Sequence, residues 1–159
     1  MTLDNVKKVF NKNTKAILMV HTYGLTSEAS EIRQFSNDNG LILIEDTAEA
    51  HGQTYNNIKC GSFGDVSTLS FYANKHITTG EGGMVLTDDE EIYKSLIQMR
   101  NLDFKSKTRF QHDNLYWNYR LGGLQAALGI SQSKNLKRVI EIKIRPVSYT
   151  HLTLPTTHC

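Results

Sequence analysis

Two short apolar runs with one amphipathic segment between them constrain this chain more than any other feature. Ala16 to His21 (AILMVH) closes near Gly24, and Leu41 to Ile44 (LILI) runs into Glu45-Asp46. Unbroken apolar runs of this length, bounded by turn residues, read as strands buried on both faces. Between them Ser27 is placed to cap a helix with Glu28 and Glu31 in its first turn and Ile32 and Phe35 on its inner face. Asn39-Gly40 stops that helix. Strand, helix of about twelve residues and strand make a βαβ unit, whose crossover sets the two strands parallel.

The alternation continues. Tyr55-Asn56-Asn57-Ile58 reads as the tight turn of a small hairpin, and Val66 to Tyr72 as a strand that breaks at Asn74-Lys75. A glycine cluster, Gly80-Glu81-Gly82-Gly83, leads into the strand Met84 to Thr87. Asp88 or Asp89 caps a helix with Ile92, Leu96 and Met99 at helical spacing. Residues 103–119 read as a long loop, and Leu121 to Leu136 as a helix with Leu124, Leu128 and Ile130 turned inward.

Length and charge remove several function classes. The 159 residues suit one domain, and 18 basic against 16 acidic side chains leave a net charge of +2. That balance is no polybasic nucleic-acid surface. No apolar stretch approaches the roughly 18 residues of a membrane span, and the N-terminus lacks the apolar core of a secretory signal. Two cysteines, Cys60 and Cys159, make neither a disulfide framework nor a four-ligand zinc site by themselves. The expectation is a soluble, cytoplasmic, reduced domain that engages no nucleic acid and no membrane.

Both prolines, Pro146 and Pro155, fall in the last 14 residues, PVSYTHLTLPTTHC, which contain no Lys, Arg, Asp or Glu. Residues 1–145 are therefore read as the evolved body. Residues 146–159 resemble translated adapter read-through and are expected to pack against nothing.

In open α/β sheets, ligands bind beyond the carboxyl ends of the strands. Three groups fall there: His21, the Glu45-Asp46 pair, and Ser70 through Lys75. An amine, a carboxylate and a hydroxyl converging at such an edge can hold a charged aromatic cofactor, although a carboxylate at a strand end serves equally well as a cap.

The order of motifs sharpens this. GLILIEDTAEAHG (40–52), GSFGDVSTLSFYANKHITTGEGGMVLTDDEE (61–91) and WNYRLGGLQAALG (117–129) together resemble the DegT/DnrJ/EryC1/StrS family of pyridoxal-phosphate-dependent sugar aminotransferases. The resemblance runs from about residue 13 to about residue 141 and rests on Asp-x-x-Glu-x-His-Gly, Ser-Phe-x-x-x-Lys and Gly-x-Gly-Gly in order. The stretch 100–120 resembles the GDP-perosamine synthase branch. The resemblance implies an α/β fold: part of the large domain of the aspartate aminotransferase-like, fold type I class, with a mostly parallel sheet and flanking helices.

It also implies roles. Lys75 matches the lysine that forms a Schiff base with pyridoxal 5'-phosphate, chemistry that needs an accessible primary amine. Asp46 matches the carboxylate that pairs with the pyridine nitrogen and keeps the ring an electron sink. Glu49 matches the group beside the cofactor's phenolic oxygen, Ser70 a hydroxyl ligand of its phosphate, and Asn118 an asparagine that reaches the partner subunit's cofactor across a homodimer. Gly80, Gly82 and Gly83 permit the turn that wraps the lysine loop. His51 is expected to pack and hydrogen-bond behind the site. His112 lies in the variable loop, within range of sugar or nucleotide. No metal is expected, since His51, His76 and His112 lack ligand spacing.

The implied reaction is transamination of a nucleotide-linked 4-keto-6-deoxy sugar with glutamate as amino donor, as in the making of lipopolysaccharide O-antigen sugars. Two other readings stay open: a pyridoxal-phosphate-dependent sugar dehydratase on the same scaffold, which carries histidine where Lys75 stands, and a non-catalytic binding module. The resemblance further implies an N-terminal phosphate loop and a C-terminal small domain that are not legible in these residues. The chain alone is therefore expected to be incompetent, with Met1 an internal residue of a longer frame.

Overall fold

A computed structural model describes residues 1–105 and 110–143; the proposed tail, 146–159, lies outside the described residues. The chain opens with a helix absent from the sequence reading, α1 (Leu3–Val9), whose N-cap Thr2 accepts the Asn5 N–H through its hydroxyl at 3.4 Å. Lys7 and Lys8 in its last turn suit the negative end of the helix dipole. Then come β1 (Ala16–Val20), α2 (Ala29–Asp38) and β2 (Ile42–Asp46). A two-stranded hairpin follows, β3 (Thr54–Tyr55) and β4 (Ile58–Lys59), turning through Asn56 and Asn57 at φ 49° and 64°. The last elements are β5 (Val66–Ser70), β6 (Gly83–Leu86), α3 (Glu90–Arg100) and α4 (Gly123–Ser133).

The main sheet has the order β1-β2-β5-β6. β1, β2 and β5 run parallel and β6 antiparallel, so the mostly parallel α/β sheet expected from the alternation is present. α1 and α2 cover one face. There Val6, Ile17, Met19, Ala29, Ile32, Leu41, Leu43 and Phe63 form the core, with Phe10 set edge-on to Phe35 at 5.2 Å.

Three local expectations need correction. Ser27 does not cap α2; its hydroxyl donates to the Val20 carbonyl at 3.0 Å, it is buried, and the N-cap position falls to Glu28. β1 and β2 are not buried on both faces: Leu18 and Ile42 are 56% and 53% exposed, because α1 and α2 lie on one side and no described element covers the other. In α4 it is Leu124, Leu128 and Ile130 that face outward. The helix docks through its polar and small face instead: Gln125 Nε2 donates to the Glu81 carbonyl, Gln132 Oε1 accepts the Thr78 N–H, and a Cβ at Gly129 would lie 3.0 Å from Thr79 Cγ2. A turn at Lys134-Asn135 breaks the helix earlier than expected, and helical structure resumes over 136–143.

As anticipated, Asp89 caps α3, its Oδ1 accepting the N–H groups of Glu91 and Ile92 at 2.8 Å each. The segment after α3 is organised by the buried carboxylate of Asp103. Its Oδ2 accepts the Asp113 and Asn114 N–H groups at 2.6 and 2.8 Å. No helix among the described residues is long and apolar enough to cross a membrane.

Packing of this kind has a direct test. Ile32→Ala removes a fully buried side chain from the α2–sheet interface and is expected to lower stability by about 2–5 kcal/mol in urea denaturation. Leu124→Ala, at a position 91% exposed, is expected to stay within about 0.5 kcal/mol of the parent.

Candidate functional site

The carboxyl ends of the three parallel strands abut. Val20 of β1 pairs with Asp46 of β2, Asp46 pairs with Thr68 of β5, and the His21 N–H donates to the Asp46 carbonyl at 3.2 Å. Because side chains alternate along a strand, the adjacent carboxylates Glu45 and Asp46 point to opposite faces. Glu45 enters the core and is fully buried, whereas Asp46 is partly accessible.

Glu45 is a hub the sequence reading did not identify. Its Oε1 accepts from His21 Nε2 at 2.9 Å and the Gly61 N–H at 2.6 Å. Its Oε2 accepts from the Phe63 and Gly64 N–H groups at 2.9 and 3.0 Å and from the Ser67 hydroxyl at 3.1 Å. Burial alone would raise its pKa; the bonds from His21, Gly61, Phe63 and Gly64 outweigh that and hold the carboxyl below its ordinary value. His21 Nδ1 accepts the Ser27 N–H at 3.1 Å, so the ring proton sits on Nε2 and is given to Glu45. Cys60 lies nearby, and burial together with the Glu45 charge pushes its thiol up to about 11. The His21, Glu45 and Cys60 donor atoms lie within 4.8 Å of one another. His21 and Glu45 are already hydrogen-bonded to protonated partners and the thiol keeps its proton, which is the chemistry of a structural hub rather than of open ligands. Of the three strand-end groups read as site candidates, His21 and Glu45 thus belong to the core.

Of the remaining candidates, Lys75 and Glu49 meet, and Asp46 and Ser70 lie at the ends of the adjacent strands β2 and β5. Lys75 Nζ lies 3.3 Å from Glu49 Oε1, and Glu49 Oε2 accepts the Tyr23 N–H at 2.7 Å. The Tyr23 bond, and after it Lys75, hold the Glu49 carboxyl below its ordinary value. Asp46 Oδ1 accepts the Ala48 N–H at 2.9 Å, while its second oxygen takes no hydrogen bond from any described residue. Ser70 ends β5, its hydroxyl accepting the Tyr72 N–H at 3.3 Å.

The lysine loop is pinned at buried Phe71. The Phe71 N–H donates to Gly82 and the Phe71 carbonyl accepts from the Thr79 N–H, at 2.8 and 2.9 Å. Gly82 is at φ 138°, and a Cβ there would stand 2.8 Å from both Thr79 Oγ1 and Leu121 Cδ1. Gly82, and Gly83, where a Cβ would stand 2.8 Å from the Leu69 carbonyl, are therefore steric requirements of the turn beside the Lys75 loop.

His51 packs as expected, 6.1 Å from Phe71 and 5.9 Å from His76 between ring centroids. It does not hydrogen-bond: neither ring nitrogen of His51, nor Nδ1 of His76, has a partner among the described residues. Burial first, then the His76 and Lys75 charges, lower the His51 pKa to about 4, so a neutral imidazole sits behind the lysine. Asn118 stands apart from the other candidates. It is exposed, bridges to Asn101, and its Oδ1 accepts from Arg120 N and Nε at 3.2 and 3.0 Å. His112 pairs with the Leu102 carbonyl and packs on Phe104, away from the lysine.

A primary amine, a carboxylate oxygen without a donor, a strand-end hydroxyl and a second carboxylate beside the amine are the functional groups that a phosphorylated pyridine aldehyde needs. The residues present fit that group.

The hub and its surroundings make stability depend on pH. Glu45 and His51 both have lowered pKa values in the folded chain, so the unfolded chain binds more protons and stability falls on acidification. The His51 share, about 3 kcal/mol from the drop from 6.5 to about 4, is expected to be lost between those two pH values. Glu45 adds its loss as pH falls below its unfolded value of 4.5. Urea midpoints measured from pH 7 to pH 4 should therefore decline, and a flat profile would contradict the neutral buried His51. Glu45→Gln, which leaves donors without an acceptor, is expected to cost about 3 kcal/mol at pH 7.

The pattern of the DegT/DnrJ/EryC1/StrS aminotransferase family matches residues 1–154. The GDP-perosamine synthase of Vibrio cholerae is 41% identical over 143 residues, covering 90% of this chain and 39% of that protein. Among solved structures, the Helicobacter pylori aminotransferase PseC, of pseudaminic acid biosynthesis, superposes with a TM-score of 0.78 at 34% identity, over 83% of this chain and 36% of that one. GDP-4-keto-6-deoxymannose-3-dehydratase with a trapped PLP-glutamate geminal diamine gives 0.79 at 34% identity, over 85% and 39%. A variant of that dehydratase, ColD, with adjacent serine-to-asparagine and histidine-to-lysine replacements gives 0.84 at 34% identity, over 92% and 43%. The chain spans about two fifths of the length of the curated relatives it matches. On this match the chain belongs to the DegT/DnrJ/EryC1/StrS aminotransferase family.

Proposed function

We propose that this chain is the cofactor-holding part of a pyridoxal 5'-phosphate-dependent aminotransferase. Its substrate is a nucleotide-linked 4-keto-6-deoxy sugar, as in GDP-perosamine synthase, and its amino donor is glutamate. The observation that carries the reading is Lys75 poised on Glu49 at the strand edge that also presents Asp46. The similarity to the Vibrio cholerae synthase supports the sugar, and the glutamate adduct in the dehydratase structure supports the donor.

When bound, the cofactor supplies an electron sink for a carbanion on the substrate. Asp46, through the oxygen that takes no bond from any described residue, would hold the cofactor's ring nitrogen, and the Ser70 hydroxyl would hold its phosphate. Lys75 would be the nucleophilic amine that anchors the cofactor and the base that moves the proton, with Glu49 orienting it. Neutral His51 behind Lys75 adds no competing charge at the amine. Asn118, exposed and held by Arg120, serves a second subunit in a homodimer of the longer protein, in the cytoplasm.

Asn74-Lys75 favours the aminotransferase over the dehydratase reading. This chain carries natively the asparagine-lysine pair that was engineered into ColD in place of serine and histidine. The full-length protein, incubated with GDP-4-keto-6-deoxymannose and glutamate, should yield a product with the mass of the amino sugar, and Lys75→Ala should lower turnover by at least about a thousandfold. A 3-deoxy product would establish the dehydratase instead. The 159-residue chain by itself is expected to lose the cofactor on dialysis, and tight retention would contradict the reading of this chain as one part of a larger site.

A further inference from the structure

We infer that Tyr23 is a substrate-contacting, specificity-determining residue: its ring meets the hexose of the nucleotide sugar at the mouth of the Lys75 site. The inference rests on the proposed function and adds a residue to it. Tyr23 occupies the left-handed region at φ 54°, ψ 26°, a conformation that suits glycine and that other residues hold at a cost. Its ring is 91% exposed, so within the described residues packing returns nothing for that cost.

The turn is nonetheless held firmly. Glu49 Oε2 takes the Tyr23 N–H at 2.7 Å while the other oxygen of the same carboxylate faces Lys75 Nζ. Gln53 Nε2 donates to the Gly24 carbonyl at 3.1 Å. Gly24, at φ 76°, passes so close to the Glu49 carbonyl that a Cβ would sit 3.3 Å from it. One side chain therefore fixes both the amine and the backbone of the aromatic residue.

Tyr23 follows β1 by three residues, and the last residue of β1 is the ladder partner of Asp46. The turn that carries Tyr23 consequently stands beyond the strand end that presents Asp46, its backbone tied to the carboxylate that also faces Lys75. A solvent-facing aromatic ring on a turn so held suits the C–H face of a pyranose, which an aromatic surface covers while the sugar hydroxyls stay in water. An amine-only site would need no such ring.

The test uses the full-length protein with GDP-mannose as a stable probe in saturation-transfer NMR, in wild type, Tyr23→Phe and Tyr23→Gly. Expected are contacts from aromatic resonances to the hexose protons in wild type and Tyr23→Phe, and affinity weaker by about fivefold or more in Tyr23→Gly. The urea midpoint of Tyr23→Gly should be equal or higher, since glycine suits this backbone. Equal binding by Tyr23→Gly, or no hexose contact in wild type, overturns the inference. A lowered midpoint also overturns it, because the ring would then be holding the fold. Reductive trapping of pyridoxal 5'-phosphate separates the two claims. Trapping at Lys75 with binding indifferent to Tyr23 removes only this inference. Tyr23-dependent hexose contact without trapping removes the cofactor reading.

Discussion

The buried Glu45 carboxylate is the interaction on which the rest of this structure depends. One ionised group at the end of β2 gathers the end of β1 through His21, the 61–64 segment through three backbone N–H groups, and β5 through Ser67. A charge placed in the core without those donors would be strongly unfavourable. With them it locks three strand ends at one depth. The proposed site sits at those strand ends, since Asp46 follows Glu45 and Ser70 lies on the strand that carries Ser67.

A single alternation separates the scaffold from the site. Glu45 faces the helices and Asp46 the open side, so neighbouring carboxylates of identical chemistry take unrelated tasks. A comparable economy appears at Glu49, whose two oxygens engage the Lys75 amine and the Tyr23 backbone. Behind the lysine, His51 and His76 hold ring nitrogens without partners among the described residues, an expensive arrangement for buried polar atoms.

Much of this was legible in the residues. The apolar runs around Met19 and Leu43 announced parallel strands, the Asn56-Asn57 pair the hairpin turn and Asp88-Asp89 the cap of α3, whereas the roles of Asp46, Glu49 and Lys75 came from the family resemblance and not from spacing. What escaped depends on contacts distant in sequence. Ser27 has the chemistry of a cap, but a carbonyl of β1 claims its hydroxyl. The leucines of α4 have core periodicity, but the 78–82 loop is met by Gln125, Gly129 and Gln132 on another face. Glu45 could have been found from two signals together: its position one residue before Asp46, which sends it inward, and the Gly61–Gly64 pair, which frees backbone N–H groups to reach it.

The central claim is that Lys75 is the cofactor-binding amine. Reduction of the chain with borohydride in the presence of pyridoxal 5'-phosphate, followed by peptide mass mapping, tests it most directly, because reduction captures even a short-lived adduct. The account predicts a pyridoxyl group concentrated on Lys75, ahead of exposed lysines such as Lys7 and Lys8. Labelling spread over the surface lysines with Lys75 unmodified would contradict it.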